Sequence, residues 1–452
     1  MRKSITLTLL LALSACTAVD PEPSWQNVRD LSASRSEGQP VWVRTPEDQK
    51  LVESTVTSLL EGGLDRDEAL RIAILNDPAL QARFADIGVS AAFVVEASLP
   101  TNPTLDGWLG LPGRSGASSL GLIAWLSDLW IIPQQTAVAE LEAKRTEFSV
   151  AADIMMTGLM GAAAWDRLVA ARREAALARE LLRSRMAAAK RMNIRYSHGL
   201  EDEGTVQEAV GMVAEQEVTV QSAEQGLTEA RTALAQRLAV PEAWTHVPQE
   251  STLTPLQSTD LTVQEALESG MQGRLDIQIA HVDVERTTSV VGLEDALIWR
   301  SVGIGATKEG QFARVHDSNV AADEVFGPTI SIEIPIFNQN QAGRAAASFE
   351  LQQAIKLLEA ARLRAAKEIV DAHRRFETTA RSLSRLEGVV RPAAAARLKY
   401  VREWNRRMQI TYLEVLAAEE RLLIVDIEIN RLREEKNSSW RRLQFAINGR
   451  SM

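Results

Sequence analysis

The chain has 452 residues, enough for two or three ordinary domains, and a formal net charge of −10 that disfavours nucleic acid as a partner. Its prolines leave two long gaps: none occurs between Pro133 and Pro241, and only Pro392 follows Pro335. These gaps allow helices of about 65 residues and about 100 Å, longer than a globular domain uses. The composition therefore predicts one elongated, mainly helical molecule.

The amino terminus has the parts of a bacterial lipoprotein signal. Arg2 and Lys3 precede an apolar run that is too short to span a bilayer, and small residues lead into Cys16. We expect residues 1–15 to be a signal peptide and Cys16 to be lipidated as the first mature residue. The alternative is an ordinary secretory peptide with an incidental cysteine. Thr17 follows instead of the Asp that retains such lipoproteins in the inner membrane, which indicates the outer membrane.

Loss of Arg2 and Lys3 with the signal would change the net charge to −10 − 2 = −12. Since Cys16 is the only cysteine, its lipidation leaves no disulfide and no thiolate metal site. Residues 16–60 contain prolines, tryptophans and many serines without periodicity. They are predicted to form a lipid-anchored, extended segment, with disorder as the alternative.

The remainder of the chain contains a tandem duplication. The stretch from Leu64 to Leu70 is repeated from Leu261 to Leu267, an offset of 261 − 64 = 197. Ile132-Pro133 matches Ile334-Pro335 at an offset of 202, and the pair Thr205, Glu208 matches Thr411, Glu414 at an offset of 206. The order of these matches is consistent, so we predict a first repeat at 61–245 and a second at 255–448.

Each repeat is predicted to contain a helix, two strands, a very long helix and a return helix. The first helix is expected from about Asp65 to Ser98, and its copy from about Thr262 to Leu297. The strands show apolar alternation at the following positions: Leu105, Leu109, Leu120, Leu122, Ala124, Leu126, Val302, Ile304, Ala306, Ile330, Ile332, Ile334 and Ile336. Four tryptophans in or beside the strands form either a membrane-interface girdle or part of a core: Trp108, Trp125, Trp130 and Trp299.

The return helices have coiled-coil spacing. Apolar residues recur at every seventh position from Val206 to Leu234, with alanines three residues later, and the pattern recurs from Val415 to Leu432. Four strands cannot close a barrel, and an open sheet edge is not tolerated in lipid. The chain must therefore oligomerise if its sheet crosses a membrane.

These features together resemble the TolC family of outer membrane efflux proteins, over roughly Leu64 to Asn448. The most specific segment is the strand that opens at Gly327-Pro328 and ends at Ile334-Pro335-Ile336-Phe337-Asn338 before an alanine-rich helix. The resemblance, including its lipoprotein branch, implies a homotrimer with a twelve-stranded outer-membrane barrel and a periplasmic α-helical coiled-coil tunnel. It also implies a periplasmic adaptor, or membrane fusion protein, and an inner-membrane pump of the resistance-nodulation-division class as partners.

The resemblance further implies a periplasmic gate at the start of each return helix. Thr-x-x-Asp is the family pattern there, and Thr205 to Glu208 and Thr411 to Glu414 stand in those places. Glu208 and Glu414 are thus the expected pore constriction, a ring of carboxylates that favours cations. Two arginines, Arg406 and Arg407, are candidates for tip salt bridges with Glu414, Glu208 or the acidic run Glu201, Asp202 and Glu203.

No catalytic site, cofactor site or metal site is predicted. The five histidines have no metal-ligand spacing, and nucleophile-elbow and phosphate-loop patterns are absent from the sequence. Two functions remain: a passive efflux duct for substrates delivered by an inner-membrane pump, and a lipid-anchored structural coiled coil without a pore. The paired strands favour the duct. Among substrates, a loose likeness to the divalent-cation branch of the family favours heavy-metal cations over drugs or secreted peptides.

Overall fold

A computed structural model describes residues 18–35, 38–109, 116–253, 261–312 and 324–448. The predicted signal peptide and Cys16 lie outside these residues. The chain divides into two compact units. The first comprises the described parts of Met1–Asn27, Ala85–Phe148 and Ile277–Ala361, and the second those of Val28–Phe84, Ser149–Asp276 and Arg362–Met452.

The described residues contain helices and a small sheet, in the predicted order. The helices are α1 (Glu22–Ala33), α2 (Pro46–Glu61), α3 (Arg66–Asn76), α4 (Pro78–Ser98), α5 (Asp128–Ser197), α6 (Glu203–Leu238), α7 (Val263–Gly273), α8 (Leu275–Ala296), α9 (Gln341–Arg385), α10 (Arg391–Arg406) and α11 (Tyr412–Asn448). A π-helical turn, Leu386–Val390, joins α9 to α10, and short 3-10 turns lie at Ala243–Thr245 and Leu297–Trp299. The strands are β1 (Thr104–Leu109), β2 (Gly116–Trp125), β3 (Val302–Phe312) and β4 (Val325–Ile332).

The expected extended conformation of residues 16–60 is wrong, because this segment contains α1 and most of α2. Trp25 and Val28 of α1 are buried, so α1 is amphipathic although its apolar residues are too few to show a period. A capping box starts α2: the Thr45 side chain accepts from the Asp48 N–H, and the Asp48 carboxylate accepts from the Thr45 N–H. The domain limits at 16–60, 61–245 and 255–448 stay predictions.

The first helix of each repeat is two helices rather than the predicted one. In the first repeat the break falls at Asp77, because Pro78 restricts the residue before it to an extended conformation. In the second repeat Arg274 is the extended residue at the same place. A capping box begins each copy. Asp65 lies just before α3 and pairs with Glu68 in its first turn, and Thr262 lies just before α7 and pairs with Glu265 in its first turn. The motif that revealed the duplication is therefore a helix start.

The two repeats also share a contact that sequence comparison did not reveal. The Trp165 indole donates to the carbonyl of Leu64 at 2.8 Å, just before the α3 cap. In the second repeat the His373 Nε2 lies 2.7 Å from the carbonyl of Leu261, just before the α7 cap. Different side chains thus join the long helix to the same point of each repeat, which is why no residue match marked it.

The sheet is antiparallel throughout, in the order β1-β2-β3-β4. Gly327-Pro328 lies within β4 rather than at its start, and β4 ends at Ile332, so the prediction that Ile334 and Ile336 continue the strand is wrong. The reason is twofold: Ile332 pairs with Val302, the first residue of β3, and Pro335 has no N–H for a ladder.

The helix α5 is the longest element, with 70 residues. Among the described residues it is the one helix apolar enough to cross a membrane, with a window of mean hydropathy 1.3 that is 56% buried. A buried core helix passes the same test. In the second unit α5 packs in the main apolar cluster, where Leu168, Val169 and Ala175 contact residues of α3 and α6.

Close packing of α5 on α3 depends on a glycine and gives a stability prediction. A Cβ at Gly161 would lie 2.6 Å from the Ala73 Cβ and 2.7 Å from the Ala69 carbonyl oxygen. We expect Gly161→Ala to lower the free energy of unfolding by about 1–3 kcal/mol, because the backbone contact cannot yield easily. The control is Gly211→Ala, where the space is open and alanine should stabilise α6 by about 0.5–1 kcal/mol. Denaturant unfolding of both variants checks the pair, and equal effects would contradict the prediction.

Candidate pore wall and gate

The sheet has one apolar face that is exposed in the single chain. The register places Leu105, Leu122, Ala306 and Pro328 in one row across the four strands. Along β4, exposure alternates with the apolar residues outward, and Phe326 and Ile330 are 76% and 71% exposed. An exposed apolar face of this kind is typical of the lipid-facing surface of a membrane barrel.

The opposite face carries mainly small and polar side chains, although Trp108, Ile123 and Trp125 also lie on it. Gly121, Thr307 and Gly327 form one row, and the hydroxyl groups of Thr307 and Thr329 are hydrogen-bonded. A Cβ at Gly305 would meet the Leu122 carbonyl, so position 305 admits no side chain. The alternation predicted from sequence is confirmed, and the polar face is the one suited to line a water-filled lumen.

The sheet also has the dimensions and boundaries of a membrane strand set. The strands β2 and β4 have 10 and 8 residues, close to the 9–11 that a tilted membrane strand needs. The apolar face ends at an ion pair in which Lys308 Nζ lies 2.9 Å from Glu324 Oε2. Trp108 and Trp299, both about half exposed, lie in β1 and beside β3. The aromatic girdle stays a prediction.

The predicted gate carboxylates, Glu208 and Glu414, are both exposed near the start of a return helix. The neighbouring residues Val206, Ala209 and Val415 are buried in helix seams, which confirms the coiled-coil pattern that surrounds them. Glu414 Oε2 lies 3.8 Å from Arg397 Nη2 on α10, and both side chains are half exposed. Within one chain the two glutamates therefore occupy equivalent solvent-facing positions.

The predicted tip salt bridges differ from the contacts in the structure. Arg407 pairs with Glu403 at 2.8 Å, one turn earlier in the same helix, rather than with the return helices. Glu201 pairs with Arg195 at 2.8 Å. For Arg406 and Glu203, no ion pair occurs among the described residues of one chain. Local i,i+4 geometry explains the outcome, because it satisfies Arg407 before a more distant carboxylate can compete.

Asp202 has a structural role at the tip of the first repeat. It is the N-cap of α6 and accepts from the Thr205 N–H at 2.9 Å and from the Thr205 hydroxyl at 2.8 Å. These hydrogen bonds lower the pKa of Asp202, and the one from the Thr205 backbone N–H has the largest effect. The side chain is therefore occupied with the helix start rather than with the predicted arginines.

Contacts between the two repeats near the tips were missed in the sequence. Arg185 of α5 bonds Glu420 of α11 through Nε and Nη2, at 3.0 and 2.9 Å, and also reaches the Met212 carbonyl. Farther toward the tip, the Arg191 guanidinium lies 4.6 Å from the centre of the Tyr412 ring. No spacing rule links residues so distant in sequence, so only the tertiary structure identifies them.

A polar residue interrupts the alanine lane of the α6 seam. Gln216 takes the position between Ala209 and Ala223, is buried, and donates from Nε2 to the Ala178 carbonyl at 3.1 Å. A buried amide with a single matching acceptor favours one register of the helix pair over its neighbours. The seam therefore aligns α6 with α5 as well as joining them.

The contact between Arg167 and Glu434 predicts a dependence of stability on pH. Burial raises the pKa of Glu434, although Arg167 at 3.1 Å opposes the shift. Because the folded-state pKa of Glu434 lies above its unfolded value of about 4.3, protonated Glu434 contributes its full stabilisation of the folded state below that unfolded pKa. This stabilisation is lost as pH rises through the folded-state pKa. Glu434→Gln should therefore raise Tm by about 1–2 °C at pH 7 and leave it unchanged below pH 4. The exposed control Glu229→Gln should show no such difference, and a lower Tm for Glu434→Gln at pH 7 would refute the prediction.

Within the described ranges, no group of three His, Cys, Asp or Glu side chains is placed to hold a metal ion. The carboxylates near the tip, Glu208 and Glu414, belong to separate repeats and are the acidic groups with the position expected for a pore constriction. Their arrangement can act on a passing solute through charge alone.

Comparison with known proteins places these features in context. Residues 264–449, most of the second repeat, match the family described as outer membrane efflux protein. No curated protein sequence matches the chain. Among solved structures, a membrane protein from Pseudomonas aeruginosa has a TM-score of 0.69 at 19% identity, over 86% of this chain and 91% of that one.

Two further structures extend the likeness. CusC, solved in a study of transmembrane channel formation, has a TM-score of 0.66 at 19% identity and covers 88% of this chain and 92% of its own. The outer membrane protein VceC of Vibrio cholerae has a TM-score of 0.65 at 20% identity, over 88% of this chain and 96% of its own. The fold of both repeats, including the first, is thus the fold of these membrane proteins.

Proposed function

We propose that this chain, whose second repeat matches the outer membrane efflux protein family, forms a passive duct from the periplasm to the exterior. The observation that carries the proposal is the four-stranded sheet with an exposed apolar face and two unpaired edge strands, β1 and β4. Such a sheet is unstable in water as a free surface and unstable in lipid as an open edge. Association of several copies removes both problems.

A homotrimer is the assembly that we propose. Three copies supply 3 × 4 = 12 strands, and β1 of one copy can pair with β4 of the next to close the barrel. The small-residue face, with Gly121 and Gly305, would then line the lumen, and the apolar face would contact lipid. The pore-free coiled-coil alternative offers no use for the strand pairs.

Lipid anchoring at Cys16 is part of the proposal and is tested separately. Its support is the sequence of the first 16 residues. Intact-mass measurement of the membrane-extracted protein should show cleavage before Cys16 and a diacylglyceryl modification. Cys16→Ser should abolish the added mass and leave the barrel able to assemble. An uncleaved amino terminus in the wild-type protein would contradict the anchor without affecting the duct.

We further propose a periplasmic adaptor and an inner-membrane resistance-nodulation-division pump as partners, since the chain has no visible energy source. Substrate choice would then lie mainly with the pump. Heavy-metal cations are the class that we favour, because the exposed gate carboxylates attract cations. Deletion of the chain should sensitise its host to divalent metals more than to hydrophobic drugs, and the reverse result would assign the duct to drugs.

Planar-bilayer conductance, with the oligomer mass measured on the same detergent-purified sample, tests the duct itself. Stable trimers that form cation-selective channels would support the proposal. A monomer or dimer without conductance would overturn it and favour the lipid-anchored coiled coil.

A further inference from the structure

The long helix of the second repeat is interrupted, whereas that of the first is not. In the second repeat α9 ends at Arg385, a π-helical turn occupies Leu386–Val390, and α10 begins at Arg391. In the first repeat, α5 continues through all of its 70 residues. The residue equivalent to Pro392 at the offset of 206 is Met186, well inside α5. The repeats therefore differ at one defined place.

Proline explains the interruption. Pro392 has no N–H, so an α-helical register would leave the Gly388 carbonyl without its partner. The chain instead takes an i→i−5 register at this turn, in which the Arg391 N–H bonds the Leu386 carbonyl. Such turns insert one extra residue, are rare, and occur frequently at functional sites. If the turn returned to an α-helical register, the helix that follows would rotate by about 100°, the angle of one residue.

The turn has room to change register. A Cβ at Gly388 would meet no atom within 4 Å, and the Val389 side chain is 65% exposed. On the opposite side, Leu386 and Val390 pack against the α11 residues Val425 and Ile429. In the single chain one side of the turn is thus free, and the other rests on an apolar surface that permits sliding better than directional bonds would.

Two ion pairs connect this turn to α11. Arg433 Nη2 lies 2.6 Å from Glu387 Oε1, and Arg391 Nε lies 2.7 Å from Asp426 Oδ1. Asp426 raises the pKa of Arg391, mainly through the hydrogen bond between the two side chains and then through its charge. Asp426 and Arg433 are seven residues apart, so both pairs use the same face of α11 and bracket the turn.

We propose that the π-turn Leu386–Val390 is a hinge for the second-repeat tip, and that the Glu387–Arg433 and Arg391–Asp426 pairs hold it in the register seen here. The proposal rests on the proposed duct for its consequence: rotation of α10 turns the tip that joins it to α11, where Glu414 lies in the first turn, and so changes the gate. The first repeat, without a π-turn, serves as the fixed wall. A change in the turn therefore alters the pore without unfolding either helix pair.

The test uses the full-length trimer in planar bilayers and a spin label at position 408, where the Met408 side chain is 94% exposed. The variant Glu387→Gln with Asp426→Asn removes both pairs. It should change the ratio of open to closed time of the channel about fivefold and add a second label-to-label distance between subunits. The charge-exchange variant Glu387→Arg with Arg433→Glu keeps an ion pair at both places and should show only the single label-to-label distance of the wild type.

Pro392→Ala decides whether the π-turn is the hinge. Alanine restores the N–H, so α9 and α10 should become one helix. The double variant Glu387→Gln with Asp426→Asn should then lose its second distance when Pro392→Ala is added. The control is Glu377→Gln, which removes an i,i+4 pair with Arg381 on α9 and should change neither readout. An unchanged second distance after Pro392→Ala would overturn the hinge. Distance changes without conductance in any variant would retain the hinge and remove the duct.

Discussion

Replacing Glu208 and Glu414 together with glutamine is expected to lower the cation-to-anion permeability ratio of the channel by about five- to tenfold. In a trimer these positions supply six carboxylates near the periplasmic end, and a narrow throat lined by one sign of charge reaches a potential of about one to two kT. Glutamine keeps the size of the side chain and removes the charge. Reversal potentials in a salt gradient measure the ratio directly.

The matched control for this prediction lies on the same helix faces. Glu229 is 21 residues after Glu208, and Glu428 is 14 residues after Glu414, so each keeps the heptad position but lies away from the tip. Glu229→Gln with Glu428→Gln should leave selectivity within about twofold of the wild type. Equal loss in both double variants would show that the charge acts along the whole wall, and an unchanged ratio in the tip variant would remove these residues from the gate.

The replacement Asp166→Asn is expected to destabilise the protein by about 3–5 kcal/mol, more than any other single change considered. Asp166 is fully buried in α5 and accepts from two arginines: Arg66 of α3, at 2.9 Å from Nε, and Arg441 of α11. Both arginine side chains are mostly buried too. Asparagine would leave two cations in the interior with no anion between them.

Calorimetric or denaturant unfolding of the detergent-solubilised protein measures this loss. The second variant, Asp166→Asn with Arg441→Met, removes one of the unpaired cations and should recover part of the stability. Exposed pairs provide the contrast: removal of the Lys356–Glu359 pair should cost less than about 1 kcal/mol. A loss below that value for Asp166→Asn would mean that water or another group compensates the arginines.

The duplication and the helix and strand types were readable from local patterns. Alternation of apolar and small residues from Val302 to Ala306 has period two, and the recurrence from Val206 to Leu234 has period seven, so each pattern specifies its own element. The capping motifs at Asp65 and Thr262 act through hydrogen bonds within four residues. Exposure of the apolar face of the sheet also agrees with the expectation drawn from alternation.

Other features could not be read in this way. The π-turn at Leu386–Val390 arises from Pro392, but a proline in a helical pattern predicts only a break or kink and does not select the register. The helices α1 and α2 were missed because their few buried residues, such as Trp25 and Val52, lack the length that a period requires. Within one chain Arg407 pairs with a nearby glutamate instead of the carboxylates expected from sequence, a choice that local geometry decides.

Elements that depend on neighbours along the chain follow from the amino-acid order, because periodicity, caps and prolines act over a few residues. The buried Arg66–Asp166–Arg441 group, the Arg185–Glu420 bond and the twin contacts of Trp165 and His373 join residues that are 100 to 275 positions apart. No local rule selects those partners, since each is chosen by the packing of whole helices and by the need to neutralise or bond a polar group once it is buried.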